Sequence, residues 1–100
     1  MHSIRLREPW ESTTVEEGAQ FRRRFGKPTG LEAGDRVELV IEGNAGEARV
    51  TLNGSLIHSG SVAAMHCDIT KLLLPRNELV IESASRPSNV RLEIHNEGDV

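Results

Sequence analysis

The sequence predicts an all-β protein, built as one antiparallel β-sandwich of about eight short strands with one short helical turn. Apolar side chains recur at every second position in most apolar segments, which is the period of a strand with one buried face. Glycine, proline and asparagine separate these segments at short intervals, and no helical pattern extends beyond two turns. The 100 residues are expected to form a single domain, residues 1–100, with one ordinary core.

The first third of the chain predicts two strands and two loops. Residues 4–7 alternate apolar and charged side chains, which suits a half-buried strand. Residues 21–25 form the next strand, with both phenylalanines on one face. Residues 11–18 are polar and acidic without a period, and residues 26–34 carry three glycines and a proline, so both segments are expected to be loops.

The middle of the chain predicts a hairpin. Residues 36–42 and 47–53 alternate apolar and polar side chains and are joined by a glycine-containing turn. Asn53 and Gly54 then form a strong hairpin signal, because a type I′ turn requires positive φ at both central residues. Residues 55–58 are the expected return strand.

The last third predicts a helical turn between strands. Residues 68–75 are typical of one helical turn with Asp68 or Thr70 as its cap and a proline at its end. The strands predicted over the whole chain are residues 4–7, 21–25, 36–42, 47–53, 55–58, 61–69, 77–83 and 90–95.

Composition narrows the function classes. The formal net charge is −3, from 12 Lys and Arg against 15 Asp and Glu, and both signs are scattered along the chain. This mixed surface argues against nucleic acid or an anionic membrane as a partner. Cys67 is the only cysteine, so no intrachain disulfide forms. No signal peptide or membrane-spanning segment is visible, and we expect a soluble, cytoplasmic protein.

Five segments, taken in order, resemble a known family. They are F-R-R-R-F at 21–25, R-V-E-L-V-I-E-G at 36–43, A-R-V-T-L-N-G at 48–54, D-I-T-K-L-L at 68–73 and N-E-L-V-I-E at 77–82. Together they are similar to the jelly-roll sugar-binding domain of family 2 glycoside hydrolases, a galactose-binding-like β-sandwich. The resemblance covers roughly residues 20–95 and implies a jelly-roll-like fold in a shortened, stand-alone form.

The resemblance implies a non-catalytic module that binds carbohydrate, or a carbohydrate-related ligand, weakly. The family's catalytic carboxylates lie in a separate barrel domain, and its aromatic loop residues are missing here from residues 58–67 and 85–88. The alternative is a structural interaction domain that forms homo-oligomers or docks on a partner protein through a sheet face or edge. The sequence contains no paired carboxylates at suggestive spacing, no nucleophile elbow and no glycine-rich phosphate loop, so we expect neither an enzyme nor a cofactor.

Few side chains are suited to binding a sugar, which usually needs an aromatic platform and planar polar groups. Phe21 and Phe25 share a strand face and are interpreted as core residues. Trp10 is either a plug or lid of the sandwich or a stacking platform. Arg23 lies between the phenylalanines, where it can stack on an aromatic ring, pair with a carboxylate such as Glu82 or Glu93, or meet a ligand.

The remaining candidates are polar. Asn53 is foremost a turn residue, with a contact role at the end of the sandwich as the alternative. His58 and His66 are candidate ligand contacts, and a metal site would have to recruit both together with Asp68 across a turn. The simpler interpretation is that Asp68 bonds the backbone of the following turn and that Cys67 is a small buried side chain. We therefore predict no metal and no catalytic residue, with five candidate ligand-binding residues: Trp10, Arg23, Asn53, His58 and His66.

Overall fold

The computed structural model describes residues 2–7, 9–15, 18–42, 46–61, 64–84 and 86–96. These residues contain nine strands and one short 3-10 turn, Thr70–Leu72. No helix among them has the length and apolar character needed to span a bilayer. The strands are β1 His2–Arg5, β2 Glu11–Val15, β3 Gly18–Gly26, β4 Arg36–Glu42, β5 Glu47–Leu52, β6 Ser55–Ser61, β7 Ala64–Asp68, β8 Arg76–Ser83 and β9 Asn89–His95.

The strands form two antiparallel sheets, which confirms the predicted all-β sandwich. One sheet has four strands in the order β1-β9-β4-β7, and the other has five in the order β2-β3-β8-β5-β6. Both sheets contribute to one apolar cluster, which is the core of the sandwich. Its fully or almost fully buried members include Val37, Leu39, Ile41 and Leu92 from the four-stranded sheet and Val50, Leu52, Leu79 and Ile81 from the five-stranded sheet.

The alternation of apolar and polar residues in the sequence matches the alternation of buried and exposed residues in the central strands. In β8 every second residue is buried over the whole length of the strand, and the residues between are exposed at Arg76 and half-exposed thereafter. An antiparallel strand with one face on the core and one in water has this alternation. The pairing of Leu79 with Leu52, and of Ile81 with Val50, then brings the apolar faces of two strands together.

The segment 11–18, predicted to be a loop, contains the edge strand β2, and this prediction was wrong. All five residues of β2 are exposed, and they pair in register with the first half of β3. An edge strand with both faces exposed to solvent is held to the sheet by main-chain hydrogen bonds to its neighbouring strand. Its side chains therefore carry no apolar period for a sequence pattern to detect, and the described residues contain nine strands rather than the eight predicted.

The Asn53-Gly54 hairpin has the predicted geometry. Asn53 has φ of 52° and Gly54 has φ of 83°, the two positive values of a type I′ turn. Leu52 pairs with Ser55 across it. The preceding turn was predicted at residues 43–46, of which residues 43–45 lie outside the described part of the chain.

The predicted helical turn is a 3-10 turn, shorter than the segment 68–75. Asp68 Oδ1 accepts hydrogen bonds from the backbone N–H of Thr70 at 2.9 Å and from its hydroxyl at 2.5 Å. Both bonds lower the pKa of the Asp68 carboxyl group, and the bond from the Thr70 hydroxyl has the larger effect. The Thr70 hydroxyl oxygen accepts in turn from the N–H of Val37 at 2.8 Å. Asp68 thus bonds the backbone of the turn, as predicted, and Thr70 ties that turn to β4.

Gly18 provides a test of the β3–β8 pairing. Its φ is +154°, and a Cβ atom added there would lie 2.9 Å from the carbonyl oxygen of Ser83. The Gly18→Ala variant must shift backbone, so we expect the free energy of unfolding to fall by about 1–3 kcal/mol. Urea titration followed by the fluorescence of Trp10, the only tryptophan, measures it.

The matched control for Gly18 is Gly26 at the other end of the same strand. A Cβ atom at Gly26 would meet its nearest neighbour, the Pro75 carbonyl oxygen, at 3.9 Å, which is ordinary contact. The Gly26→Ala variant is expected to change the free energy of unfolding by less than about 1 kcal/mol in either direction. Equal losses of stability in the two variants would contradict the close approach at Gly18.

Candidate functional site

Two of the predicted ligand residues, Trp10 within the connection from β1 to β2 and Arg23 of β3, bond the backbone of that connection. The indole N–H of Trp10 donates to the carbonyl of Leu6 at 3.1 Å, and the side chain packs against the core cluster. Arg23 pairs in register with Leu79, and its Nε donates to the carbonyl of Arg7 at 2.9 Å. A second guanidinium N–H donates to the carbonyl of Arg24. Trp10 and Arg23 therefore anchor this connection by hydrogen bonds to its backbone carbonyls.

The two predicted histidines lie on different sheets. His58 belongs to β6 of the five-stranded sheet, and its Nε2 lies 2.8 Å from the carbonyl oxygen of Ser61. His66 belongs to β7 of the four-stranded sheet, and its Nδ1 lies 2.5 Å from Glu38 Oε1. Asp68 contacts neither of them in the bonds described above, because its carboxylate holds the 3-10 turn. The sandwich does not bring His58, His66 and Asp68 into one cluster.

Asn53 lies in a network of amide hydrogen bonds at one end of the sandwich. Its Oδ1 accepts from the N–H of Glu78 at 2.9 Å, and its Nδ2 donates to Asn77 Oδ1 at 3.0 Å and to the carbonyl of Leu72 at 3.3 Å. Asn77, which is only 3% exposed, accepts from the N–H of Leu74 and donates to its carbonyl, both at 2.8 Å. This network joins the hairpin turn to the 3-10 turn and to the start of β8.

Asn53, Asn77 and Glu78 of this network line an open depression, which we call the turn-end pocket. It lies where the end of β3, the start of β8 and the β5–β6 turn meet, and its cavity volume is about 710 Å³. Of the predicted ligand residues it includes Asn53. The lining residues are Arg24, Phe25, Gly26, Asn53, Pro75, Arg76, Asn77 and Glu78.

The chemistry of the turn-end pocket combines one aromatic ring with planar charged groups. Phe25, interpreted from the sequence as a core residue, is half-buried, packs on the core and lines the pocket. Arg24 and Arg76 are exposed beside it. The carboxylate of Glu78 lies 3.4 Å from Arg24 Nε and 3.5 Å from Nε of Arg22, which are solvent-exposed ion pairs. Donors, an acceptor and an apolar ring surface thus meet in one place.

The sequence singled out Asn53 as a candidate ligand residue of this pocket and did not single out Phe25, the arginines or Glu78. The alternation in residues 21–25 assigned Phe25 to the core, and it does pack there. It is also the last residue before Gly26, where β3 ends, so the end of the sheet leaves part of the ring uncovered. The position of Phe25 next to the end of its strand was the one sequence signal that its ring would be partly exposed. The arginines and Glu78 reach the pocket through pairing of β3 with β8, which no local pattern encodes.

The structure is similar to parts of solved glycoside hydrolases. An FMN-binding β-glucuronidase from Facaelibacterium prausnitzii L2-6 matches 95% of this chain with a TM-score of 0.74 and 22% identity. A putative β-galactosidase from Bacteroides fragilis matches 85% with a TM-score of 0.62 and 27% identity. The resemblance to glycoside hydrolases is confirmed. A β-glucuronidase from Bifidobacterium dentium, solved with coumarin-3-O-glucuronide, matches 63% with a TM-score of 0.54 and 32% identity.

The chain spans only a small share of each of these enzymes. It covers 22%, 16% and 11% of the Facaelibacterium, Bacteroides and Bifidobacterium chains. Neither a protein-family model nor a curated protein matches the sequence. The similarity therefore concerns a sandwich-sized unit of the glycoside hydrolases and not their whole chains.

Proposed function

We propose that this protein is a non-catalytic carbohydrate-binding module that holds a sugar weakly in the turn-end pocket. The observation that carries the proposal is the half-buried Phe25 flanked by Arg24, Arg76 and Glu78, on a sandwich that matches a β-glucuronidase structure over 95% of its length. A sugar ring has an apolar face and a rim of hydroxyls, so one ring surface and a few planar polar groups suit it.

A uronic acid fits the charges of the pocket better than a neutral hexose. The two exposed guanidinium groups of Arg24 and Arg76 offer paired N–H donors to a carboxylate, which is the strongest geometry available to an arginine. Glu78 supplies an acceptor for sugar hydroxyls. Two of the matched structures are β-glucuronidases, one solved with a glucuronide, and this supports glucuronate as the first ligand to test.

The pocket favours binding over hydrolysis. Glycoside hydrolysis in most families requires two carboxyl groups that flank the scissile bond, about 5–9.5 Å apart. Glu78 is the one carboxylate among the eight residues that line the turn-end pocket. A single carboxylate paired with arginines serves as an acceptor and lacks the second group that the reaction needs.

The test is titration of ¹⁵N-labelled protein with glucuronic acid and, separately, with glucose. We expect shifts at the pocket residues with a dissociation constant of about 1–10 mM for glucuronate and weaker binding of glucose. The Arg76→Gln variant should weaken glucuronate binding at least about threefold, since one charge-assisted contact is lost. Arg49→Gln, an exposed arginine of β5 outside the pocket, is the matched control. Absence of shifts at about 50 mM sugar would contradict the proposal.

A further inference from the structure

The outer face of the four-stranded sheet carries a second polar cluster, which we call the sheet-face cluster. It is formed by Glu38 of β4 and by Glu93 and His95 of β9; Glu38 and Glu93 are register partners, and His95 lies two residues further along β9 on the same face. One oxygen or nitrogen atom from each of the three residues lies within 4.8 Å of those from the other two. No part of the turn-end pocket belongs to this sheet, so the cluster is separate from the proposed sugar site.

The imidazole of His95 is the unusual member of the cluster. Its Nε2 is buried and forms no hydrogen bond with the residues that the structure describes. It points between two carboxylates, 3.4 Å from Glu93 Oε1 and 3.9 Å from Glu38 Oε2. At these separations Nε2 is within ion-pair range of both carboxylates but forms no hydrogen bond, and a cation shared by the three groups accounts for that arrangement.

The neighbours hold both carboxylates in position. Arg91 Nε donates to Glu93 Oε2 at 2.9 Å, which leaves the other oxygen facing His95. The same guanidinium bonds Glu42 at 3.1 Å, and this bond lowers the pKa of Glu42 and raises the pKa of Arg91. His66 Nδ1 lies 2.5 Å from Glu38 Oε1, leaving Oε2 on the side of His95. Ligating carboxylates are commonly oriented by hydrogen bonds of this kind.

We propose that the sheet-face cluster binds a divalent transition-metal ion of the zinc type through Glu38, Glu93 and His95. A tetrahedral zinc ion with bonds of about 2.0–2.1 Å separates its ligand atoms by about 3.3 Å. His95 Nε2 lies 3.4 Å and 3.9 Å from the two carboxylates, and the three ligand atoms all lie within 4.8 Å of one another, so side-chain shifts of about 1 Å bring them to that spacing. One imidazole and two carboxylates suit zinc, and water completes the coordination.

Burial distinguishes this cluster from an ordinary solvated charged surface. The side chains of Glu93, His95 and Glu38 are only 11%, 24% and 26% exposed. Val40, placed by register between His66 and Arg91 on the same outer face, is fully buried. The three side chains of the cluster are therefore largely shielded from solvent, and two carboxylates close to each other there gain from a shared cation.

The test is calorimetric titration of untagged, chelator-treated protein with Zn²⁺. We expect one equivalent bound with a dissociation constant below about 100 μM, together with a higher thermal unfolding midpoint in the presence of zinc. His95→Gln should weaken binding at least about tenfold, because the imidazole ligand is removed. His58→Gln, on the other sheet, is the matched control and should bind zinc like the parent.

Two further measurements keep the test decisive if His95→Gln folds poorly. Co²⁺ added to the parent protein should give the visible absorption of a low-coordinate site, and Zn²⁺ should displace it. Glu93→Gln, which keeps the shape of the side chain, should weaken zinc binding as well. No zinc binding by the parent at about 1 mM, or equal binding by His95→Gln and His58→Gln, would overturn the proposal. Loss of sugar binding would leave it unaffected, because the two sites share no residue.

Discussion

Replacing Ile81 by alanine is expected to lower the free energy of unfolding by about 3–4 kcal/mol. Ile81 is fully buried and lies in β8, between Phe21 of β3 and Val50 of β5. Truncation removes three carbon atoms from a well-packed site and leaves a cavity that neighbouring strands cannot close without losing their pairing. A domain of this size has about 5–15 kcal/mol of total stability, so the loss is a large share.

Urea denaturation monitored by Trp10 fluorescence measures this loss, and two further variants control it. Ile81→Val deletes one methyl group and is expected to cost about 1 kcal/mol. Val80→Ala changes the adjacent residue of the same strand, which is half-exposed on the opposite face, and should cost less than the core truncation. If Val80→Ala proved as destabilising as Ile81→Ala, the assignment of the core face of β8 would fail.

Replacing Asn77 by alanine is expected to lower the free energy of unfolding by about 2–4 kcal/mol, although Asn77 is polar. Its side chain bonds both main-chain groups of Leu74 and the amide of Asn53, and its Nδ2 also donates to the carbonyl of Phe25 at 3.4 Å. Alanine leaves these groups without their partner at a site that is 3% exposed. Loss of a buried partner costs more than the net value of the bonds themselves.

A double-mutant cycle with Asn53 isolates the bond between the two amides. Asn53→Ala and Asn77→Ala should each destabilise, and the double variant should lose less than their sum by about 1 kcal/mol or more. Asn77→Asp keeps the acceptor but places a carboxylate oxygen against the carbonyl of Leu74 at a buried site, so near neutral pH it should destabilise at least as much as Asn77→Ala. Ser59→Ala, on an exposed position of β6, is the surface control. Strictly additive losses would contradict a shared network.

The amide network connects two of the segments that resemble the glycoside hydrolase family, residues 48–54 and residues 77–82. The L-N-G segment supplies Asn53 with positive φ, and the segment that opens β8 supplies Asn77. Each asparagine was assigned locally, one to a turn and the other to the start of a strand. Their mutual hydrogen bond at 3.0 Å depends on β5 and β8 lying side by side. The sequence predicted the local structure of each asparagine but not the hydrogen bond between their side chains.

The candidate sites were predicted less well than the strands. Of the five candidate ligand residues, Asn53 lines the turn-end pocket, and its amide is bonded within the protein. His66 lies beside the sheet-face cluster through its contact with Glu38. Trp10, Arg23 and His58 bond nearby main-chain carbonyls. Whether a side chain belongs to a binding site depends on which strands lie next to each other in the sheets, and residue type alone does not predict that.

The alternating residues of β4, β5, β8 and β9 determined by themselves that this chain is an antiparallel sandwich, and Asn53-Gly54 determined one of its hairpins. The alternation of apolar and polar side chains is a local property, so each segment by itself is enough to predict a strand with one buried face. Only the tertiary structure decided that Glu11–Val15 is an edge strand and that Glu38 meets Glu93 and His95. Main-chain pairing and the register between distant strands decide such contacts, and neither leaves a repeating pattern along the chain.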